Sequence, residues 1–319
     1  MDALLDPVIF FFIMGIASGL LKSDFKIPAT IYEILSIYLL LAIGIKGGVA
    51  LSKSNLLDLV YPFIGTMSVG IIIPFLAFAI TFFVLRFSRD NAAALATHYG
   101  SVSAVTFAVC LNYLQSTKVG YESYATVMLV ILEVPALVIG ITLAKLGDSN
   151  FKSKIGKVLH EVLFGKSIFL LVGGLAIGYF AGPERIQPLA PVFFTPFKGA
   201  LAFFLLEMGL VVSHRLGSLK KAGPKLILFA IVMPIISAAI TCVIGSLCGL
   251  SLGSLIVLCA LAASASYIAA PAAVRVAIPE ANPALYLGAS LAVTFPFNVV
   301  IGIPLYHKMA EFSLRILGS

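Results

Sequence analysis

The chain has 319 residues, of which 61% are hydrophobic and only 11% charged, with a mean hydropathy of +1.10. A water-soluble domain must cover its surface with charge, so this composition excludes one and points to lipid as the solvent. The formal net charge of +7 does not point to nucleic acid, because the basic residues are distributed as a membrane topology requires.

Apolar runs between charge or turn clusters predict ten spanning helices. The first, 5–21, follows Asp2 and Asp6 in place of the basic residues of a secretory signal, so it is expected to remain uncleaved. The second, 28–51, carries Glu33 and Lys46 near opposite ends, where both are expected to reach the interfaces. Helices at 57–86, 91–115 and 121–146 complete a first half, residues 1–146. A polar linker, 147–165, holds Ile155, Val158, Leu159, Val162 and Leu163 at helical spacing with lysines between them, the pattern of a short amphipathic helix on the cytoplasmic face. The second half, 166–319, has helices at 166–182, 196–214, 223–248, 253–277 and 283–308. Within its second helix lie Glu207, mid-span, and Lys198, near the start, and a structural interhelical pair is expected ahead of a ligand role. Cys110, Cys242, Cys248 and Cys259 fall in apolar runs without a CxxC pair and read as small core residues.

With the N-terminus placed outside, 14 basic residues fall on inner loops and 5 on the outer side. Lys and Arg resist translocation, so both termini are expected outside and the linker in the cytoplasm. The two halves also resemble each other at offsets of 159–165 residues. Gly15-Ile-Ala-Ser-Gly19 recurs as Gly174-Leu-Ala-Ile-Gly178, and Leu40-Leu-Ala-Ile-Gly44 as Leu205-Leu-Glu-Met-Gly209. The segments beginning at Pro74 and Pro135 recur at Pro234 and Pro296. Five helices per half is an odd number, so the expected architecture is all-α with a 5+5 inverted-topology repeat.

Inverted-repeat transporters bind cargo where a helix of each half breaks near the bilayer midplane. The fourth helix of each half fits, with His98-Tyr-Gly-Ser-Val-Ser-Ala-Val-Thr106 in one and Ala262-Ala-Ser-Ala-Ser-Tyr-Ile-Ala-Ala-Pro271 in the other. Gly and Ser leave helical geometry at little cost, and Pro271 removes a backbone donor. A helix restarting after such a break presents unpaired N–H groups and about half a positive charge, so two of them make an anion site without Lys or Arg. Tight packing of small residues is the alternative for each segment. Tyr267 could cap the site or fill the core, and His98 could shuttle protons or be structural.

Glu133 lies mid-span beside Pro135, where a carboxylate costs about 3 kcal/mol unless it is paired, protonated or used. Thr294 and Asn298 lie at the equivalent place of the second half. Together with freed carbonyls they offer hard oxygen ligands for a coupling Na⁺; the alternative is a protonated Glu133 bonded to a helix 4 serine.

These segments carry a family resemblance over nearly the whole chain. Gly100-Ser-Val-Ser-Ala-Val-Thr106, Tyr121-Glu-Ser-Tyr, Glu133-Val-Pro-Ala-Leu137, Ala262-Ala-Ser-Ala-Ser266, Ile278-Pro-Glu-Ala-Asn-Pro283 and Ile303-Pro-Leu305 resemble the sodium-dependent bicarbonate transporters of SbtA type. The resemblance implies a gate domain (helices 1, 2, 6 and 7), a core domain (helices 3–5 and 8–10), and crossing broken helices 4 and 9. It further implies Na⁺-coupled bicarbonate uptake, a trimer and a PII-like cytoplasmic regulator. The anion site is then expected at Gly100, Ser101, Val102, Ser103 and Ala104 with Ala265, Ser266, Tyr267 and Ile268. The Na⁺ ligands are expected to be Glu133, Thr106, Ser264, Thr294 and Asn298. The chain differs from the family in having Tyr267 where an acidic residue is common and Glu133 where Asp stands.

Another small carboxylate, or proton coupling through His98 and Glu133, is the alternative within transport; a channel, receptor or scaffold is the alternative outside it. An enzyme would need convergent titratable groups or a metal motif such as HExxH, and the sequence has none; no cofactor beyond Na⁺ is implied.

Overall fold

The computed structural model describes residues 6–146, 160 and 164–317, among which helix is the only regular structure. The expected amphipathic linker helix lies almost wholly outside the described residues.

Local chemistry sets the helix starts. α1 (Pro7–Leu20) opens on Asp6, whose carboxylate accepts from the Val8 N–H at 2.9 Å, with Pro7 where no donor is needed. α2 (Ala29–Leu51) and α3 (Val60–Ala79) follow, and α3 runs on through a π turn at Ile80–Val84. α4 (Arg89–Gly100) starts on a Ser88 cap; α5 (Ala104–Ser116) and α6 (Ala125–Lys145) come next. Beyond the linker are α7 (Lys166–Ile186), α8 (Phe197–Ala222) and α9 (Pro224–Leu247). α10 (Leu252–Ala262) starts on a Ser251 cap and is followed by α11 (Ala269–Ala277). α12 (Pro283–Leu317) contains π turns at Gly288–Thr294 and Asn298–Gly302, on either side of Pro296.

Three ends differ from the sequence reading, the first being that of α8, which runs to Ala222, past the expected stop at 214. α7 passes the expected stop at 182 by kinking at Gly182 (φ 70°). α12 passes 308 because its last turns leave the apolar zone as an amphipathic helix, with His307 and Glu311 one turn apart at 3.3 Å.

Among the described residues, eight helical runs are long and apolar enough to cross a membrane, and Pro7–Leu20 and Leu252–Ala262 are shorter apolar helices. Phe63, Phe75, Phe83, Phe180 and Leu247 are exposed, a surface suited to lipid. α4 and α10 are the reverse, buried from Ala92 to Gly100 and from Gly253 to Ala262. They occupy the middle of the bundle, α4 against α3 and α6, and α10 against α9 and α12.

On the other side α1 lies along α8 and α2 along α7. A Cβ at Gly15 would strike the Leu206 carbonyl, and one at Gly209 the Phe12 carbonyl. Gly48 and Gly178 likewise abut the Leu175 and Ile45 carbonyls. Both pairs run parallel, backbone against backbone, as small residues four apart allow. Gly15, Gly178 and Gly209 are glycines of the sequence repeat.

The expected interhelical pairing is made by Lys198, and Lys198 and Glu207 do not pair with each other. Nine residues along one helix span about 13.5 Å, whereas the parallel α1 brings Asp6 level with Lys198, and Nζ lies 3.4 Å from Asp6 Oδ2. Glu207 Oε2 is buried and without a hydrogen-bond partner among the described residues.

Candidate functional site: crossed helix interruptions

α4 stops where α3 and α6 converge: a side chain at Gly100 would sit 2.7 Å from Cβ of Pro74 and 2.8 Å from Cβ of Ala136. The backbone then extends at Ser101 (φ −83°, ψ 167°) and Ser103 (φ −107°, ψ 110°). The Ser103 hydroxyl starts α5 by accepting from the Thr106 N–H at 3.1 Å. α10 stops at Ala262, and after an irregular segment Ser266 Oγ accepts from the Ala270 N–H at 3.2 Å in the first turn of α11.

The two interruptions are bonded to each other. Ser103 N–H donates to Ser264 Oγ at 2.8 Å, Ser103 Oγ donates to Tyr267 Oη at 3.1 Å, and Ser266 N–H donates to the His98 carbonyl at 2.8 Å. Donors released by unwinding one helix thus find acceptors in the other, which lets irregular backbone persist in a buried place.

Each interruption also has an outside support. Glu133 on α6, 4% exposed, accepts from the Val102 N–H at 3.4 Å. Asn298 on α12 donates to the Ala263 carbonyl at 2.9 Å and accepts from Tyr306 Oη at 2.6 Å. Thr294 donates to the Ala230 carbonyl of α9 at 2.7 Å and meets Tyr99 Oη at 2.7 Å. Of the five expected cation ligands, Glu133 and Thr106 therefore attend the first interruption, and Ser264 lies between Ser103 and the Leu261 carbonyl. Thr294 and Asn298 are hydrogen-bonded elsewhere, not to Glu133. The hydroxyl of Thr106 and Nε2 of His98 are buried without hydrogen-bond partners among the described residues, while His98 Nδ1 is 2.7 Å from the Ala94 carbonyl.

Val102, Ser103, Ala104, Ser266, Tyr267 and Ile268 line one cavity of about 20 Å³ with Glu133 in its wall; Gly100, Ser101 and Ala265 do not line it. A water molecule requires about 10–15 Å³, so the space is that of a single small species.

Sequence reading missed Tyr99 and Tyr306, whose hydroxyls face polar partners inside apolar helices, and it missed the structural use of Asp6. The Asp6-Pro7 pair was the available signal, since it is a helix-start signature. Asp6 accepts from Asn112 Nδ2 at 2.7 Å and Ser116 Oγ at 3.1 Å, so it joins the start of α1 to the end of α5. Burial pushes its carboxyl up, but the hydrogen bonds from Val8, Asn112 and Ser116, together with Lys198, hold it below the usual carboxylate range. Beside this cluster opens a cavity of about 520 Å³, whose walls include Lys46, Asn112, Gln115 and Lys198.

An apolar exterior around buried, interrupted helices defines a multi-pass helical membrane protein of the transporter class. The sequence model of the Na⁺-dependent bicarbonate transporter superfamily matches residues 7–311, and the chain belongs to that family. It is a family of transporters, not of enzymes. No curated protein matches the chain significantly.

Proposed function

We propose that the protein is a secondary active transporter that moves a small anion, bicarbonate first, in symport with Na⁺ across the inner membrane. The observation that carries this reading is the crossing itself: two helices restart within one buried, mutually bonded cluster beside Glu133. The starts of α5 and α11 each supply about half a positive charge, which suits an anion where no Lys or Arg is present. Na⁺ as co-substrate neutralises Glu133, with Thr106, whose buried hydroxyl has no hydrogen-bond partner among the described residues, and Ser264, Thr294 and Asn298 as the further expected ligands. The anion then docks on the α5 and α11 starts at the expected positions Gly100 to Ala104 and Ala265 to Ile268, and the core moves past the gate.

The proposed frame is the ten-helix 5+5 inverted repeat, with α4–α5 and α10–α11 as its fourth and ninth helices and both termini outside. Its support is the equivalent use of repeated glycines: Gly15 of the first half and Gly174 of the second each lie at a backbone contact with a helix of the opposite half. The gate domain is then α1, α2, α7 and α8, and the core domain is the remainder. A trimer and a PII-like cytoplasmic regulator follow from the family resemblance alone.

The test is uptake of labelled bicarbonate by proteoliposomes with and without an inward Na⁺ gradient. Gradient-driven accumulation is expected; uptake indifferent to Na⁺ with the protein correctly inserted overturns the coupling. Proton coupling is the second reading, favoured by the unpartnered Nε2 of His98 inside the crossing. It requires uptake to follow an imposed pH gradient in Na⁺-free buffer.

A further inference from the structure

We infer that the large cavity is the entry vestibule for the anion, and that Lys46 is the residue that captures the anion there and sets its affinity. This rests on the symport reading above.

Three cavities lie in series. Ile43 lines the 520 Å³ vestibule and also a narrow cavity of about 10 Å³ whose walls include Leu39, Leu40 and Phe204. Ala104 and Ile268 line that narrow cavity and also the crossing cavity. The route from vestibule to crossing thus passes an apolar neck that a hydrated ion does not cross until the neck widens. Lys46 stands one helical turn from Ile43 on α2, at the wide end of the neck.

The charge of Lys46 is unanswered. No Asp or Glu lines the vestibule among the described residues. The second lysine in its wall, Lys198, is paired with Asp6. Glu122, which falls between the lining residues Tyr121 and Ser123, accepts from the hydroxyls of Ser251 and Ser254. A cation inside an apolar span is costly and marks an ion pathway when it faces a cavity. One sign of charge between low-dielectric walls concentrates the opposite ion. Its position before the neck suits capture: an anion held here is next to the route inward, and a cation is repelled at the same point.

The test has a transport arm and an arm that needs no transport. With a Na⁺ gradient, Lys46→Gln is expected to raise KM for bicarbonate about tenfold with kcat little changed, and Lys46→Arg is expected to restore KM. An unchanged KM in Lys46→Gln overturns the proposal. In the second arm Gln115, exposed in the vestibule wall, is replaced by Cys in a Cys248→Ser background. The ratio of its modification rates by anionic and cationic methanethiosulfonates is expected to fall about tenfold when Lys46→Gln is added. An unchanged ratio overturns the vestibule role. A ratio that depends on Lys46 in a protein that carries no bicarbonate supports the vestibule and overturns the symport reading alone.

Discussion

The Glu133 carboxylate receives the Val102 N–H at 3.4 Å, two residues beyond the end of α4. One residue thereby supports the unwound backbone and supplies the one carboxyl group in the wall of the crossing cavity among the described residues. Glu133→Gln keeps an acceptor for Val102 and removes the charge. It is expected to melt near the wild-type temperature while Na⁺-driven uptake falls; a charge contribution of about 3 kcal/mol corresponds to roughly a hundredfold in cation affinity. Glu133→Ala removes both functions and is expected to lose about 1–3 kcal/mol of stability as well, from an unpaired buried N–H. Paired thermal melts and uptake assays separate the two variants.

Ser103 and Tyr267 provide a second check. Tyr267→Phe retains the ring against Phe295, centroids 5.4 Å apart, and removes only the acceptor of the Ser103 hydroxyl. The expected loss is about 1 kcal/mol. Ser103→Ala also removes the cap on Thr106, and its expected cost is larger, about 1–2 kcal/mol. A melt in which Tyr267→Phe is the more damaging of the two contradicts the hydrogen-bond scheme.

Asp6 makes stability depend on pH in a defined sense. Its folded carboxyl lies below the ordinary value, so its contribution is fully present above the unfolded pKa of about 3.9 and is lost as pH falls through the lower folded value. Wild-type Tm is therefore expected to drop below about pH 4 by more than that of Asp6→Asn. At neutral pH the variant is expected to cost about 1 kcal/mol, for the weakened cap and the lost Lys198 partner. Parallel pH–melting curves that keep a constant separation down to acid pH exclude this role.

The parallel seams give a stability prediction with an internal control. Gly48 faces the Leu175 carbonyl, and Gly173 has open space around it on the adjacent helix. Gly48→Leu is expected to destabilise by at least about 1–3 kcal/mol, since backbone on both sides prevents relief. Gly173→Ala is expected to be neutral or mildly stabilising, through better helix propensity. Equal behaviour of the two in detergent melts rules out the close approach.

The crossing was legible because its residue types declare it: Gly100 with Ser101 and Ser103, and Ser264 with Ser266 and Pro271, are residues that tolerate an interruption, and the two serine pairs recur at one offset. Glu133 was legible because an acid in a long apolar run stands out. What composition does not encode is level. Lys198 and Glu207 share a helix, and only the parallel packing of α1 shows that Asp6 is the partner. Lys46 read as an interface residue for the same reason, as depth along α2 does not say whether a side chain meets lipid or a cavity. Thr294 and Asn298 were found as polar groups in an apolar helix, but their partners, Tyr99 and Tyr306, depend on rotation about helix axes that π turns alter.

The glycine seams also determine where this bundle yields under load. Along α1–α8 at Gly15 and Gly209, and along α2–α7 at Gly44, Gly48, Gly174 and Gly178, main chain meets main chain, and at those points no side chain can change rotamer to absorb a displacement. The contact of that four-helix plate with α5 is made instead by flexible side chains such as Leu39, Ile43 and Phe204. Sliding there requires rotamer changes and release of the Asp6 hydrogen bonds to Asn112 and Ser116, so the plate acts as a rail latched at one end, and the soft boundary lies along the wall of the proposed anion route.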